Sequence, residues 1–217
     1  VQYDPEAGTQ RPFSSRKLVE CMRAGAERFG WNKRQAKPGQ VRDGRWMVGM
    51  GVASAFRNNL VGKSGARIGV DAKGQVIVET DMTDIGTGSY TIIAQTAAEM
   101  MGVPIEAVTV RLGDSRFPVS AGSGGQWGAN SSTAGVYAAA MALRAKLAEK
   151  AGYPVDQAEF EEGLVRHENK SQTLAALAGR EGLWAEDSIE FGDLDKRYAQ
   201  ATFGAHFCEV GVDIDTA

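Results

Sequence analysis

Residues 80–102 read TDMTDIGTGSYTIIAQTAAEMMG, and residues 120–152 read SAGSGGQWGANSSTAGVYAAAMALRAKLAEKAG. In each, a glycine-rich turn opens straight into an apolar run that recurs every three or four positions, the period of a helix with one buried face. In the first stretch that face is Ile93, Ala97, Met100 and Met101, and Gly102 and Pro104 end the helix. In the second, a helix is expected over residues 132–150, with Val136, Ala140, Leu143 and Leu147 inward and Gly152 as its stop.

The flanking sequence supplies strands. GARIGVDAKGQVIVETD alternates over residues 67–71 and 75–80 around Lys73 and Gly74, which predicts a hairpin. AVTVRLGD reads as a further strand after the first of the two helices. Toward the amino terminus, Ser14 and Ser15 are candidate caps for a helix bearing Leu18, Cys21, Met22, Gly25 and Phe29 and stopping at Gly30. Residues 31–45 have no period and read as an exposed crossing loop. Residues 46–60 predict one long, partly buried strand, with Gly49 and Gly51 permitting close approach. Toward the carboxyl terminus, AEFEEGLVRHEN, WAEDSIEFGD and ATFGAHFCEVGVDI read as strands, with a small helix near 174–178. Helices and strands mix without repeating as regular βαβ units, so the expected class is α+β, mixed sheets with packed helices. A candidate subdivision falls near residues 152–157.

The chain has 217 residues, enough to bury a core, and its net charge of -3 comes from interspersed charges. No basic run of the kind that tracks a phosphate backbone is present, which excludes nucleic acid as the expected partner. Cys21 and Cys208 lie far apart and only His167 and His206 accompany them, so neither a disulfide framework nor a zinc site is expected, and no side chain is assigned as a metal ligand. No apolar stretch approaches the ~20 residues of a membrane span. The opening VQYDPEAGTQRPFSS shows no signal peptide, and both ends read as cut, so the chain is expected to be a fragment of something longer. The residues leave the location open.

A helix amino terminus leaves backbone N–H groups unpaired and carries the positive end of the helix dipole, and glycines before it let an anion approach the backbone. Gly86-Thr87-Gly88 and Gly124-Gly125-Gln126-Trp127-Gly128 can therefore hold the two ends of one phosphate-bearing ligand, with Gln126, Asn130, Ser131 and Ser132 adding donors and acceptors. Tight strand-to-helix turns explain the same residues, and the residues alone leave these readings level. VGKSG at 61–65 resembles the tail of a P-loop, but the first glycine of that motif falls at Arg57. GTGSYT lacks the third glycine of a dinucleotide fingerprint, and no parallel βαβ unit is expected around it. Arg57, beside Asn58 and Asn59, is either an oxyanion clamp or a surface arginine at a strand end. Asp81 and Asp84 are assigned to turn hydrogen bonds because carboxylates repel phosphate. His206 and the methionines 100, 101 and 141 are assigned to packing.

These residues carry a resemblance. DIGTGSYTIIAQTAAEMMGVP resembles the glycine motif and helix in the large, molybdenum-binding subunit of the xanthine oxidase family of hydroxylases, which includes xanthine dehydrogenases and bacterial periplasmic aldehyde oxidoreductases. GSGGQWGANSSTAGVYAAAMALRAKL resembles that subunit's second cofactor loop and helix, FGAHFCEVGVDIDT the strand that follows, and AFRNNLVGKSGAR the segment with the active-site arginine. The resemblance implies a molybdopterin cofactor, in the cytosine dinucleotide form, lying against Ile85, Gly86, Thr87 and Gly88 and against Gly125, Gln126, Gly128 and Ala129. It implies Arg57 near molybdenum and substrate, and iron–sulfur and FAD groups on partner subunits. It implies oxidation of aldehydes, or hydroxylation of heteroaromatics such as xanthine, with water as oxygen source. Thr87 departs from the glutamine found in many members between the two glycines. The family's glycine-rich phenylalanine motif and its catalytic glutamate match nothing in the chain, so the fragment alone is expected to be inactive. A non-catalytic binding or scaffold domain with the same fold is the alternative, and a nucleotide-binding module a third.

Overall fold

The computed structural model describes residues 11–216; the first ten residues, part of the opening read for a signal peptide, and Ala217 lie outside the described residues. In chain order, α1 (Leu18–Phe29) and a 3-10 turn (Trp31–Lys33) precede β1 (Val41–Asp43), β2 (Trp46–Asn58), β3 (Ser64–Val70) and β4 (Val76–Thr80). Next come α2 (Ser89–Met101), β5 (Val108–Leu112) and α3 (Trp127–Ala151). The remainder holds β6 (Glu159–Glu161), β7 (Leu164–His167), β8 (Lys170–Thr173), α4 (Leu174–Ala178), β9 (Leu183–Ile189), α5 (Leu194–Arg197) and β10 (Ala201–Asp213). The class is α+β, and the elements form two units, one from residues up to 60 with those from 193 onward, the other from residues 61–192. Residues 152–157 lie within the second unit.

In the first unit β10 runs antiparallel to β2 from Ala201↔Asn58 to Asp213↔Trp46, and β1 pairs with the other edge of β2. Phe13, Phe56 and Phe203 cluster with ring centroids 5.2–6.1 Å apart, and Phe207 packs with Phe29 and Trp31. α1 comes close at Gly25, where a Cβ would stand 2.6 Å from the Phe207 ring. Three expectations are corrected. The cap position of α1 is Lys17, without a side-chain cap bond, not Ser14 or Ser15. The expected loop at 31–45 contains β1, which the β2 edge recruits by backbone pairing. β2 is exposed from Val52 to its end, and a Cβ on Gly49 would meet nothing within 4 Å, so no close approach occurs there.

The second unit is built on a four-stranded sheet in the order β5-β4-β3-β9. β3 is antiparallel to β4 and β9, whereas β4 is parallel to β5, from Val76↔Val108 to Thr80↔Leu112. Parallel neighbours need a crossover, and α2 supplies it. This βαβ unit corrects the expectation that none surrounds GTGSYT. Alternation sends Ala66, Ile68, Val70, Val76 and Val78 to one face, where they pack with Ile93, Ala97, Met101, Val136, Ala140, Leu143 and Leu147, all fully buried. α3 sits close on β3 because Gly135 has no side chain, and a Cβ there would stand 2.9 Å from the Ser64 carbonyl oxygen.

The opposite face carries a row of charge that the sequence pattern does not announce. Arg111, Glu79, Arg67 and Glu186 occupy matched positions on the four strands. They pair at 3.0, 3.2 and 2.9 Å, and Glu79, 8% exposed at its side chain, is held between the two arginines. α2 ends at Gly102, left-handed at φ 63, where a Cβ would lie 2.2 Å from the Phe160 carbonyl oxygen. Arg144 of α3 donates to the Met100 carbonyl at 2.5 Å and lies over the Phe160 ring. The AEFEEGLVRHEN segment is two strands, β6 and β7, because Glu162 and Gly163 both take positive φ and close a tight hairpin, with β8 added beyond.

Two substitutions test this packing. Leu143→Ala is expected to lower stability by about 2–5 kcal/mol in chemical denaturation, the range for a large-to-small change in a full core. Gly102→Ala, which adds left-handed strain to a backbone clash, is expected to cost at least about 2 kcal/mol.

Candidate functional site

The parallel pair β4 and β5 fixes where the two glycine loops lie. Residues 81–88 leave the carboxyl end of β4 and enter α2, and residues 113–126 leave the carboxyl end of β5 and enter α3. Both loops therefore stand at the same end of the sheet, where open α/β sheets bind ligands. Bonds join them. Asp81 donates its amide to the Pro118 carbonyl at 3.1 Å and accepts the Ser120 amide on its carboxylate at 2.7 Å. The Ser123 hydroxyl donates to the Thr83 carbonyl. Met82, 2% exposed, fills the space beneath Gly128. At its start, the second loop is turned by Asp114, whose carboxylate accepts from the Arg116 guanidinium and is held down to about 2 by that contact.

The two helix starts differ in kind. At α2, the Asp84 carboxylate accepts the amides of Gly86 at 2.8 Å, Thr87 at 3.0 Å and Tyr90 at 3.4 Å. The amides of Thr91 and Ile92 bond to the Gly88 carbonyl. These contacts, the Gly86 amide first, hold the Asp84 carboxyl below its ordinary value. Asp84 thus does the turn bonding read from sequence, and the expectation of open amides at this helix is corrected, because a carboxylate four residues upstream of Gly88 already takes them. Gly86 and Gly88 are left-handed, at φ 94 and 78, and a Cβ on either would meet nothing within 4 Å. Their outer side, with Ile85 63% exposed and Thr87 also exposed, is open.

At α3, the cap residue Gln126 is itself left-handed at φ 77, makes no side-chain cap bond, and the first turn carries no acidic residue. The first turn of this 25-residue helix thus carries no acidic residue, and its cap residue makes no side-chain cap bond. It begins at Trp127, five residues earlier than expected, because the Trp127 amide bonds to the Gly124 carbonyl and continues the coil through Gly128 and Ala129. The Trp127 indole lies over Gly124 and Gly125, where a Cβ would approach it to 2.9 and 2.1 Å, and donates to the Ala121 carbonyl. Gly125, Gln126 and Ala129 are exposed, whereas Gly128 is buried against the Gly122 carbonyl, 2.8 Å from where its Cβ would be. Ser131 accepts the Gly62 amide, and the Ser64 and Ser132 hydroxyls are buried without a partner in the structure.

The structure thus brings Ile85, Gly86, Thr87, Gly88, Gly125, Gln126, Gly128 and Ala129 to one end of the second unit. Open space outside Gly86 and Gly88, and a helix start at α3 with no acidic residue in its first turn, fit a flat ligand bearing phosphate. Arg57 belongs to the first unit, exposed near the end of β2 and paired across the strands with Thr202. A cleft of about 490 Å³ between residues 33–41 and the strands β2 and β10 also lies in the first unit. No cluster of potential metal ligands and no helix long and apolar enough to cross a membrane occurs among the described residues. Sequence reasoning assigned Asp84 to turn bonding but missed that this bonding takes the amides of Gly86, Thr87 and Tyr90. Its signal was an aspartate two positions before a G-x-G turn, where an Asx-type bond to the following amides is favoured.

Comparison with known proteins places this geometry. The chain is 61% identical over 212 residues to the aldehyde oxidoreductase molybdenum-binding subunit PaoC of Escherichia coli K12, covering 98% of the chain and 29% of that protein. It is 35% identical over 107 residues to the putative xanthine dehydrogenase molybdenum-binding subunit XdhA of the same organism, covering 47% of the chain and 14% of that protein. The chain thus spans less than a third of the curated relatives it matches. The fold resembles that of CO dehydrogenase from Oligotropha carboxidovorans at a TM-score of 0.70 and 20% identity, over 95% of this chain and 30% of that one. Residues 24–217 match the molybdopterin cofactor-binding domain, and the chain belongs to that family.

Proposed function

We propose that residues 1–217 work as part of the molybdopterin-binding region of a larger molybdenum hydroxylase subunit. The carrying observation is that two glycine loops stand side by side at the carboxyl ends of parallel strands, one open on its outer side and one feeding a helix with no acidic residue in its first turn. Ile85, Gly86, Thr87 and Gly88, whose glycines leave room, would hold the flat pterin. Gly125, Gln126, Gly128 and Ala129, at the amino-terminal end of α3, would hold the phosphates. The cofactor is the cytosine dinucleotide form, as the resemblance implies.

When bound, the cofactor supplies oxygen-transfer and two-electron redox chemistry. The chain's own residues bind and orient. Asp81 and Ser123 tie the loops into one rim, Trp127 stiffens the glycines of the second loop, and Arg57 offers a planar guanidinium to an anionic or carbonyl oxygen of the substrate. The substrate is an aldehyde, favoured by the similarity to an aldehyde oxidoreductase subunit, or a heteroaromatic such as xanthine, with water as oxygen source. Partner subunits would hold the iron–sulfur and FAD groups that receive the electrons, and the fragment alone is inactive.

Gly86→Val and Gly125→Val in the full-length subunit are each expected to lower molybdenum, by metal analysis, and pterin, by fluorescence of its oxidised form, at least about tenfold, the equivalent of ~1.4 kcal/mol of lost binding. Unchanged content in folded variants would support the non-catalytic scaffold instead.

A further inference from the structure

The two loops differ in charge, in a way that neither the fold nor the relatives' names assign. The loop before α2, residues 81–88, holds Asp81 and Asp84 and no lysine or arginine. The loop before α3, residues 113–126, holds one carboxylate, Asp114, which is paired with Arg116 of the same loop. Two carboxylates, Asp81 and Asp84, sit within the first loop itself, and Asp84 occupies the amides of Gly86, Thr87 and Tyr90 that would otherwise receive an anion.

We propose that Asp84 is a positioning residue that acts as the built-in anion of the α2 start, turning phosphate away from the first loop and leaving that loop to an uncharged part of the ligand. This rests on the cofactor reading above for its biological meaning, but the charge exclusion is a property of the loop and is measurable without cofactor. A carboxylate already bonded to the amides removes their donor capacity and adds a like charge, so a phosphate there would have to displace one anion with another. A purely structural cap would hold the loop in shape without deciding which anion the loop rejects.

The test uses the full-length subunit made in cells that lack molybdopterin. Hydrogen exchange of the amides of residues 86–90 is followed with and without inorganic phosphate. In the wild type, phosphate is expected to leave their exchange unchanged. In Asp84→Ala these amides exchange faster without phosphate, and phosphate at ten times its dissociation constant slows them about tenfold. Asp84→Asn retains an oxygen that accepts the Gly86 and Thr87 amides but lacks the charge; it keeps the loop and gains weaker protection by phosphate than Asp84→Ala. Supplied with cofactor, Asp84→Asn is expected to retain more pterin than Asp84→Ala. Phosphate protection of residues 86–90 in the wild type overturns the proposal. So does an absence of gained protection in Asp84→Ala when its melting temperature and the exchange of the later turns of α2 match the wild type. If Asp84→Ala does not fold, the same absence in Asp84→Asn overturns it. A wild-type subunit that never acquires pterin would sink the cofactor reading alone and leave the exchange result standing.

Discussion

The parallel pairing of β4 with β5 is the constraint on which the second unit depends. Once Val76 to Thr80 lie beside Val108 to Leu112 in the same direction, the chain must return across the sheet, and α2 supplies that return. The same pairing brings both strand ends, and so both loops, to one edge. Had the strands paired antiparallel, the loop after β5 would lie at the far end of the sheet from the loop after β4. The buried face follows as well. α2 and α3 share the apolar side offered by β3 and β4, and Gly135 lets α3 settle on β3.

Much of this was legible in the sequence. The period of Ile93, Ala97 and Met101, and of Val136, Ala140, Leu143 and Leu147, identified both helices because those residues are the buried ones. The hairpin at Lys73 and Gly74 was legible because Gly74 takes a positive φ and the Asp71 carboxylate accepts the amides of Lys73 and Gln75. The parallel pairing was not, since strand direction is a tertiary choice and the antiparallel β3 and β9 make up the rest of the sheet, on one side of the pair. The start of α3 was misplaced because Gln126, a non-glycine residue, adopts the left-handed conformation that ends one turn and begins the next. The row from Arg111 to Glu186 was hidden because its members lie on four strands far apart in sequence.

The site was legible as residues but not as physics. The glycines pointed to both loops, yet composition treats the two loops as equivalent, and the structure separates them. One helix start is satisfied by a carboxylate from its own loop, and the other is left without an acidic residue or a side-chain cap. The Asp84 carboxylate therefore stands at one helix start, and no acidic residue stands in the first turn of the other. The difference arises from one aspartate two residues before Gly86, a position whose bonding geometry only the folded loop reveals.

The central claim is that both loops serve a single ligand. It is tested most directly by a crystal structure of the full-length subunit with its cofactor. The account predicts density for one molybdopterin that touches residues 85–88 on one side, with its phosphate oxygens within hydrogen-bond reach of the amides of residues 125–129 on the other. Density contacting only one loop, or phosphate seated on the amides of Gly86 and Thr87, would contradict it.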